Sequence, residues 1–296
     1  MTISESDSEP GPAIVTRFAP SPTGRLHLGH AFSALTAHDF ARTKGGRFLL
    51  RIEDIDAGRS REGFVEGIVE DLRWLGLGWD GEMVRQSRRL DAYHASLGAL
   101  GAAGLLYPCF CTRADIAAAA SAPHGPEAAV YPGICRHLDP ATRERRMAGE
   151  PHAWRLAMDK AVAFVGPITW HDAEAGEIAA EPGRFGDVVL ARKDAPASYH
   201  LAVTVDDAWQ RVSDVVRGAD LFEATHIHRL LQALLGLPTP RYHHHALLAD
   251  AAGRRLAKRD GAQTIASLRE AGADPAILLA DLRAGRMPVG LAVAQV

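Results

Sequence analysis

The sequence of 296 residues has no apolar run approaching the roughly 18 residues that a membrane-spanning helix needs. Residues 1–12, rich in Ser, Asp, Glu, Pro and Gly, lack the apolar core of an export signal and read as a disordered tail. No charge sign dominates. The net charge of −3 excludes a globally basic nucleic-acid-binding surface and leaves a local basic face open. Cysteine is scarce, with only Cys109, Cys111 and Cys135. An odd, clustered set in a chain without an export signal argues for metal ligation over disulfides, and the chain reads as cytoplasmic. No internal repeat is visible. What remains is a globular composition, 47% hydrophobic and 23% charged, long enough for one large domain with an insertion or for two domains. A monomer is the default expectation.

The most informative stretch is 17–30, Arg-Phe-Ala-Pro-Ser-Pro-Thr-Gly-Arg-Leu-His-Leu-Gly-His. An apolar run over 13–19 enters it and predicts a buried strand. Pro20, Pro22 and Gly24 then rule out regular structure. Residues 31–44 predict a helix closed by Gly45-Gly46, and 48–52 the next strand. The start of a helix following such a loop offers unpaired N–H groups and a positive dipole end, where a polyphosphate lies well. His27 and His30, three positions apart, can both donate to oxygens that gain charge in a reaction. On spacing alone, two surface histidines after a strand–helix turn fit equally.

Further along, Ser60 can cap a helix reaching about Leu75, and Ser87 another carrying Leu90, Tyr93, Leu97 and Leu100. From 107 to 185 the pattern changes and reads as an insertion. It contains a short Ala-rich helix at 114–120, a helical turn at 143–147, and strands at 154–158, 161–165 and 168–170. Strand character resumes at 187–191 and 201–205, and a helix spans 225–235. The expected division is a tail at 1–12, a first catalytic half at 13–106, the insertion at 107–185, a second half at 186–246, and a basic loop with short helices at 247–296. Strands alternating with helices on both sides of an insertion predict an α/β, doubly wound parallel sheet. Ligands should then lie at the carboxyl ends of its strands.

Two further groups carry chemistry. Residues 254–259, Arg-Arg-Leu-Ala-Lys-Arg, form a basic loop whose Lys258 can reach phosphates, although a solvated loop would look the same. Cys109-x-Cys111 and, after an interval, Cys135 offer three thiolates to a tetrahedral zinc and leave one ligand to find. By chemistry alone His137 or His124 is the first choice. Three buried free thiols are the alternative. The run His243-His244-His245 cannot chelate one ion, because adjacent strand residues face opposite sides.

His27-Leu28-Gly29-His30, after a Pro-Ser-Pro-Thr-Gly loop, resembles the HIGH motif of class I aminoacyl-tRNA synthetases. The string 17–30 followed by Arg51-Ile52-Glu53-Asp54-Ile55-Asp56 is similar to their glutamyl/glutaminyl branch. Residues 255–259 occupy the place of KMSKS, with Arg255 for the first lysine and Ala257 for the serine, while Lys258 keeps the catalytic lysine position. Within the branch, a chain of this length with Cys-x-Cys and then Tyr131-x-x-x-Cys135 resembles the glutamyl-Q tRNA(Asp) synthetase family.

The resemblance implies a Rossmann-like catalytic domain with a zinc-containing insertion and short C-terminal helices, and without an anticodon-binding domain. It implies ATP with Mg²⁺ as substrate, bound by His27, Gly29, His30 and Lys258, with His27, His30 and Lys258 catalytic. L-glutamate would lie against Arg17, Phe18, Ala19, Pro20, Ser21, Glu53, Tyr199 and Arg217. The arginines would read carboxylates, Tyr199 would donate from its hydroxyl, and Ser21 and Glu53 would hold the α-ammonium. One Zn²⁺ would sit on Cys109, Cys111, Tyr131 and Cys135. The implied activity is tRNA-independent formation of glutamyl-adenylate, then transfer of glutamate to the queuosine base in the anticodon of tRNA(Asp). Two other readings remain: a ligase using the HIGH core on a small acceptor, and a catalytically silent paralogue acting as a binding module.

Overall fold

The structure is a computed structural model that describes residues 13–112, 115, 130–250, 263–286 and 291–293. In chain order the strands are β1 (Val15–Phe18), β2 (Arg47–Ile52), β3 (Val84–Arg85), β4 (Leu106–Cys109), β5 (Ala153–Leu156), β6 (Thr169–Asp172), β7 (Gly176–Ala179), β8 (Val189–Ala191), β9 (Asp214–Gly218), β10 (Arg241–His245), β11 (Leu248–Asp250) and β12 (Leu291–Val293). Strands β1, β2 and β3 run parallel in that order. A second group, ordered β7-β6-β10-β9, is parallel except for the β6–β7 hairpin.

Ser213 joins the two groups. Its N–H donates to the Val15 carbonyl at 3.0 Å, and the Val15 N–H donates to Ser213 Oγ at 2.8 Å. β1 therefore lies beside β9, with one strand set running outward from each. That border is a topological switch point, where ligands of open parallel sheets bind. Helix α1 (Leu28–Thr43) covers β1 and is tied to it by Thr16 Oγ1 donating to the Ala37 carbonyl at 2.9 Å. Leu28 and Leu35 of α1 pack with Phe48, Leu50 and Ile52 of β2 and with Ile68 and Leu72 of the helix Glu62–Trp74 in one apolar core.

The cysteine-bearing region is a separate antiparallel sheet, ordered β4-β5-β8. The hairpin β6–β7 follows in the same stretch of chain, yet it extends the parallel sheet, because β6 pairs with β10. No helix among the described residues is long and apolar enough to cross a membrane.

Two expected strands are helices. Residues 161–165 fall in the helix Met158–Val165, whose Met158, Ala161, Val162 and Val165 recur at helical spacing and face Leu156, Leu190 and Ile227. Residues 201–205 fall in the helix Tyr199–Trp209, capped by Ser198 Oγ accepting from the Leu201 N–H at 3.4 Å. Leu201, Ala202, Val203 and Thr204 are all buried, so no polar face marks the period. After residue 263 come the short helices Ile265–Glu270 and Pro275–Arg283, as expected. The expected helix at 114–120 and the tail at 1–12 lie outside the described residues.

The helix Tyr199–Trp209 ends on Arg211, which takes a φ of 56°, the only non-glycine positive φ among the described residues. That left-handed conformation costs an L-residue of this kind roughly 1 kcal/mol, which glycine avoids. The Arg211 side chain is exposed. Arg211→Gly should therefore raise the urea midpoint, with m unchanged, by a stability gain of about 0.5–1 kcal/mol. A lowered midpoint would show that the turn carries no strain.

Candidate active site and cysteine cluster

The chain leaves β1 at Phe18 and turns through the proline loop, which the Glu53 N–H clamps by donating to the Pro20 carbonyl at 3.0 Å. His27 then caps α1. Its Nδ1 accepts from the Gly29 N–H at 3.1 Å, and its own N–H donates to His30 Nδ1 at 3.2 Å. The two imidazoles thus form a reciprocal capping box, with ring centroids 3.8 Å apart. Because both Nδ1 atoms accept, each neutral ring carries its proton on Nε2. A Cβ at Gly29 would sit 3.0 Å from the His27 ring and press on this cap.

A cavity of about 430 Å³ opens at this point, over the ends of β1, β9 and β10. Arg17, Phe18, Ala19, Pro20, Ser21, His27, Gly29, His30, Glu53, Tyr199 and Arg217 all line it. The structure therefore gathers every expected adenylate- and glutamate-site residue except Lys258. Lys258, with Arg255 and Ala257, lies outside the described residues. The flanking chain adjoins the cavity on both sides. Leu247 and Leu248 line it, Thr264 pairs with His27 in an isolated bridge, and the Ile265 N–H donates to the Leu26 carbonyl at 2.9 Å.

The two cavity arginines differ in electrostatic setting. Arg17 Nε donates to Asp207 Oδ1 at 3.0 Å, and the same carboxylate takes Arg51 Nη1 at 2.7 Å. Burial works against the Asp207 charge, but the two guanidiniums hold its carboxyl below the usual range. Arg217 is only 4% exposed and makes no ion pair among the described residues. Its partners are His244 Nε2 at 3.1 Å, His228 Nδ1 at 3.3 Å, Tyr199 Oη at 3.4 Å, Thr225 Oγ1 at 2.6 Å and the Leu221 carbonyl at 3.1 Å. It is a buried cation with neutral neighbours, facing a cavity.

Glu53 stands at the end of β2, 3.6 Å from Arg51. Burial pushes its carboxyl up to about 7, against the pull of Arg51 and Arg17. A cation entering the cavity would restore its charge. One wall thus suits a carboxylate, another an ammonium, and the α1 terminus suits phosphate oxygens.

Sequence reasoning missed Asp206 and Asp207, both buried in the helix Tyr199–Trp209. Asp206 accepts from Arg89 at 2.6 Å, Tyr93 at 2.7 Å and Gln86 at 2.8 Å. Their only signal is a pair of carboxylates in an otherwise apolar run. The three adjacent histidines do split between faces. His243 binds Asp214 at 2.8 Å, His244 binds Asp172 at 2.8 Å, and His245 meets Ser33 at 3.1 Å on the cavity wall.

The cysteines form a second centre. Cys109 ends β4, and the sulfurs of Cys109, Cys111 and Cys135 lie within 4.8 Å of one another. Cys111 and Cys135 are 3.4 Å apart at sulfur, and all three thiols are free of disulfides. Tyr131 Oη lies 3.4 Å from Cys109 Sγ and 3.5 Å from Cys111 Sγ. A tetrahedral zinc with bonds near 2.3 Å spaces its sulfurs about 3.8 Å apart, so the donor set fits such an ion. No histidine among the described residues joins the cluster, so His137 is not at the sulfurs; His124 is outside the described residues.

Known proteins resemble this chain over most of its length. The family model described as tRNA synthetases class I (E and Q), catalytic domain, matches residues 13–291. A Rhodobacter capsulatus protein named glutamyl-Q tRNA(Asp) synthetase is 52% identical over 272 residues, covering 89% of this chain and 97% of its own. A Symbiobacterium thermophilum protein of the same name is 47% identical, covering 90% and 84%. Among solved structures, a glutamate-tRNA synthetase from Elizabethkingia anophelis superposes with a TM-score of 0.79 at 28% identity, covering 92% of this chain and 61% of that one. A glutamate tRNA ligase from Elizabethkingia meningosepticum, in complex with its amino acid, gives 0.78 at 28% identity, covering 92% and 60%. The chain thus spans about three fifths of the length of these solved synthetases.

The buried charge network supplies a stability test. Removing Asp207 takes its carboxylate partner from the buried Arg17 and the nearest one from the buried Arg51, whereas Asp194 pairs with Arg192 at the surface with its side chain 67% exposed. Asp207→Ala should cost about 3–5 kcal/mol in denaturant unfolding, and Asp194→Ala under about 1 kcal/mol. Equal losses would mean that the Asp207 pairs contribute no more than surface ones.

Proposed function

Because the chain belongs to the glutamyl-Q tRNA(Asp) synthetase family of class I ligases, we propose that it joins L-glutamate to ATP as glutamyl-adenylate without tRNA. It then transfers the glutamate to the queuosine base in the anticodon of tRNA(Asp). The observation that carries this reading is one cavity with a carboxylate-seeking Arg217, an ammonium-seeking Glu53 and the double-histidine start of α1. Glutamate is the zwitterion with a second carboxylate that such walls select.

In this reading Arg17 and Arg217 hold the carboxylates, Tyr199 donates from its hydroxyl, and Ser21 and Glu53 take the α-ammonium. Phe18, Ala19 and Pro20 shape the wall. A carboxylate oxygen of glutamate bonds to the α-phosphorus as the bond to the β-phosphate oxygen breaks, and pyrophosphate leaves. The Nε2–H groups of His27 and His30 and the Gly29 backbone meet the phosphate oxygens, and Lys258 adds charge from the loop. No protein nucleophile takes part; positioning and fixed donors lower the barrier. ATP brings Mg²⁺, which offsets phosphate charge. In the second step the queuosine base takes the acyl group and AMP departs. The cytoplasm, where tRNA is charged, is the matching compartment.

A zinc ion on Cys109, Cys111, Cys135 and Tyr131 fits the donor spacing and would pin the small β4-β5-β8 sheet. Its role is structural, since the donors sit in their own apolar cluster with Tyr107, Phe110 and Leu138.

Glutamate-dependent ATP–pyrophosphate exchange without tRNA tests the first step, with glutamine and aspartate as controls. Exchange with glutamate alone is expected, and Lys258→Ala should cut it at least about 100-fold with an unchanged melting temperature. Silence of the wild type with and without tRNA would favour a non-catalytic paralogue. For the metal, Cys109→Ser should lose bound zinc and melting temperature together. A zinc-free variant melting like the wild type would rule out the structural role.

A further inference from the structure

Arg217 is held in part by residues that do not line the cavity, His244, His228 and Thr225. The parallel register of β9 and β10 sets Arg217 opposite His244, so both side chains share one face of the sheet. A guanidinium only donates, so His244 Nε2 accepts from Arg217 Nε, and the ring's proton is on Nδ1. That Nδ1–H points to Asp172 Oδ2 at 2.8 Å, and a carboxylate only accepts. The chain Asp172–His244–Arg217 therefore has one polarity. On the other side Arg217 Nη1 donates to His228 Nδ1, which leaves the His228 Nε2–H to donate to His200 Nδ1 at 3.2 Å.

Both imidazoles are neutral. Burial and the nearby Arg217 bring His244 down to about 4 and hold His228 well below the ordinary imidazole range. Neutral acceptors hold the guanidinium without cancelling its charge, whereas the Asp207 carboxylate cancels that of Arg17. Asp172 stands on β6, outside the cavity lining. It is buried, and burial opposes its charge, yet the N–H groups of Ala175 and Glu174, with His244, hold its carboxyl below the ordinary range.

We propose that Asp172, His244 and His228 are positioning residues for Arg217. They lock it as an uncancelled cation, and the preference of the cavity for a carboxylate over a carboxamide depends on the tautomer that Asp172 imposes on His244. The inference rests on the glutamate reading of the cavity and adds to it how the selection is built. A glutamine carboxamide would leave the buried charge unanswered.

Asp172→Asn is the direct test. The asparagine Oδ1 can still accept from the turn N–H groups of Glu174 and Ala175, which lie 3.0 and 3.1 Å from Asp172 Oδ1. Its amide, however, donates to His244 Nδ1, which moves the ring proton to Nε2 and sets it against the Arg217 Nε–H. The expected result is a glutamate KM about 10- to 100-fold higher, a KM for ATP unchanged, and a narrowed preference for glutamate over glutamine. The ¹⁵N signals of His244 should exchange their protonated and unprotonated positions, and the melting temperature should hold. His243→Gln, on the opposite face against Asp214, should leave both KM values unchanged.

A switched tautomer with an unchanged glutamate KM overturns the inference. So does a loss of both substrates in step with a lowered melting temperature, which marks Asp172 as a turn residue only. If Asp172→Asn does not fold, His244→Gln and His244→Met decide. Glutamine keeps a donor for Asp172 and an acceptor for Arg217 and should stay within about threefold of wild type, whereas methionine should raise the glutamate KM about tenfold or more. Equal values for the two overturn the proposal. A wild type without glutamate-dependent exchange removes the glutamate reading and this inference with it. An active wild type with unaffected variants removes the inference alone.

Discussion

The pair of hydrogen bonds between Ser213 and Val15 sets β1 beside β9, and the cavity depends on that adjacency. Arg17, Ser21, His27 and Glu53 come from the first strand set, and Arg217 and His245 from the second. Glu53 and Arg217 are 164 positions apart in the chain, so neither set holds a site alone. Where the strand order reverses, the helices on either side diverge and leave a crevice at the strand ends. Beneath it Asp207, from a helix next to the second set, receives Arg17 and Arg51 from the first. The border is thus closed twice, by backbone at the sheet and by charge under the cavity.

Most of the first strand set was legible from sequence because its signals are local. The proline loop, the HxGH string, the Gly45-Gly46 stop and the acidic end of β2 each act over a few residues, and each lies where the pattern places it. The start of α1 is the exception. It begins at Leu28, three residues before the expected point, because the two histidines cap it themselves. Histidine is not among the strong capping types, so propensity alone could not show the reciprocal box.

What sequence did not reveal depends on partners far along the chain. The helix Tyr199–Trp209 was read as strand over 201–205 because burial on nearly all sides erases the amphipathic period. The same burial hid the use of Asp206 and Asp207, whose arginines come from 17, 51 and 89. The three histidines of β10 show the same limit. Alternation separates His243 and His244 by face, but Asp214 and Asp172 as their partners follow only from strand order. Even the hairpin carrying Asp172 looked like part of the insertion, and it is the pairing of β6 with β10 that brings it to the parallel sheet.

The charges gathered here are a poor way to stabilise a fold. Taking an arginine and a carboxylate out of water costs about as much as their attraction returns, and an apolar pair of similar size often does as well. The favourable energy comes from the apolar clusters on either side, Phe48, Leu50, Ile68 and Leu72 in one and Leu156, Leu190 and Leu231 in the other. Those clusters make the buried charges tolerable, and the charges in turn are held without freedom to reorganise. Among the described residues, Arg217 sits among neutral imidazoles and Glu53 is short of a full counter-charge. A ligand of complementary charge pattern therefore gains attraction from groups already desolvated and aligned, and that gain is larger than the same groups could provide at a wet surface.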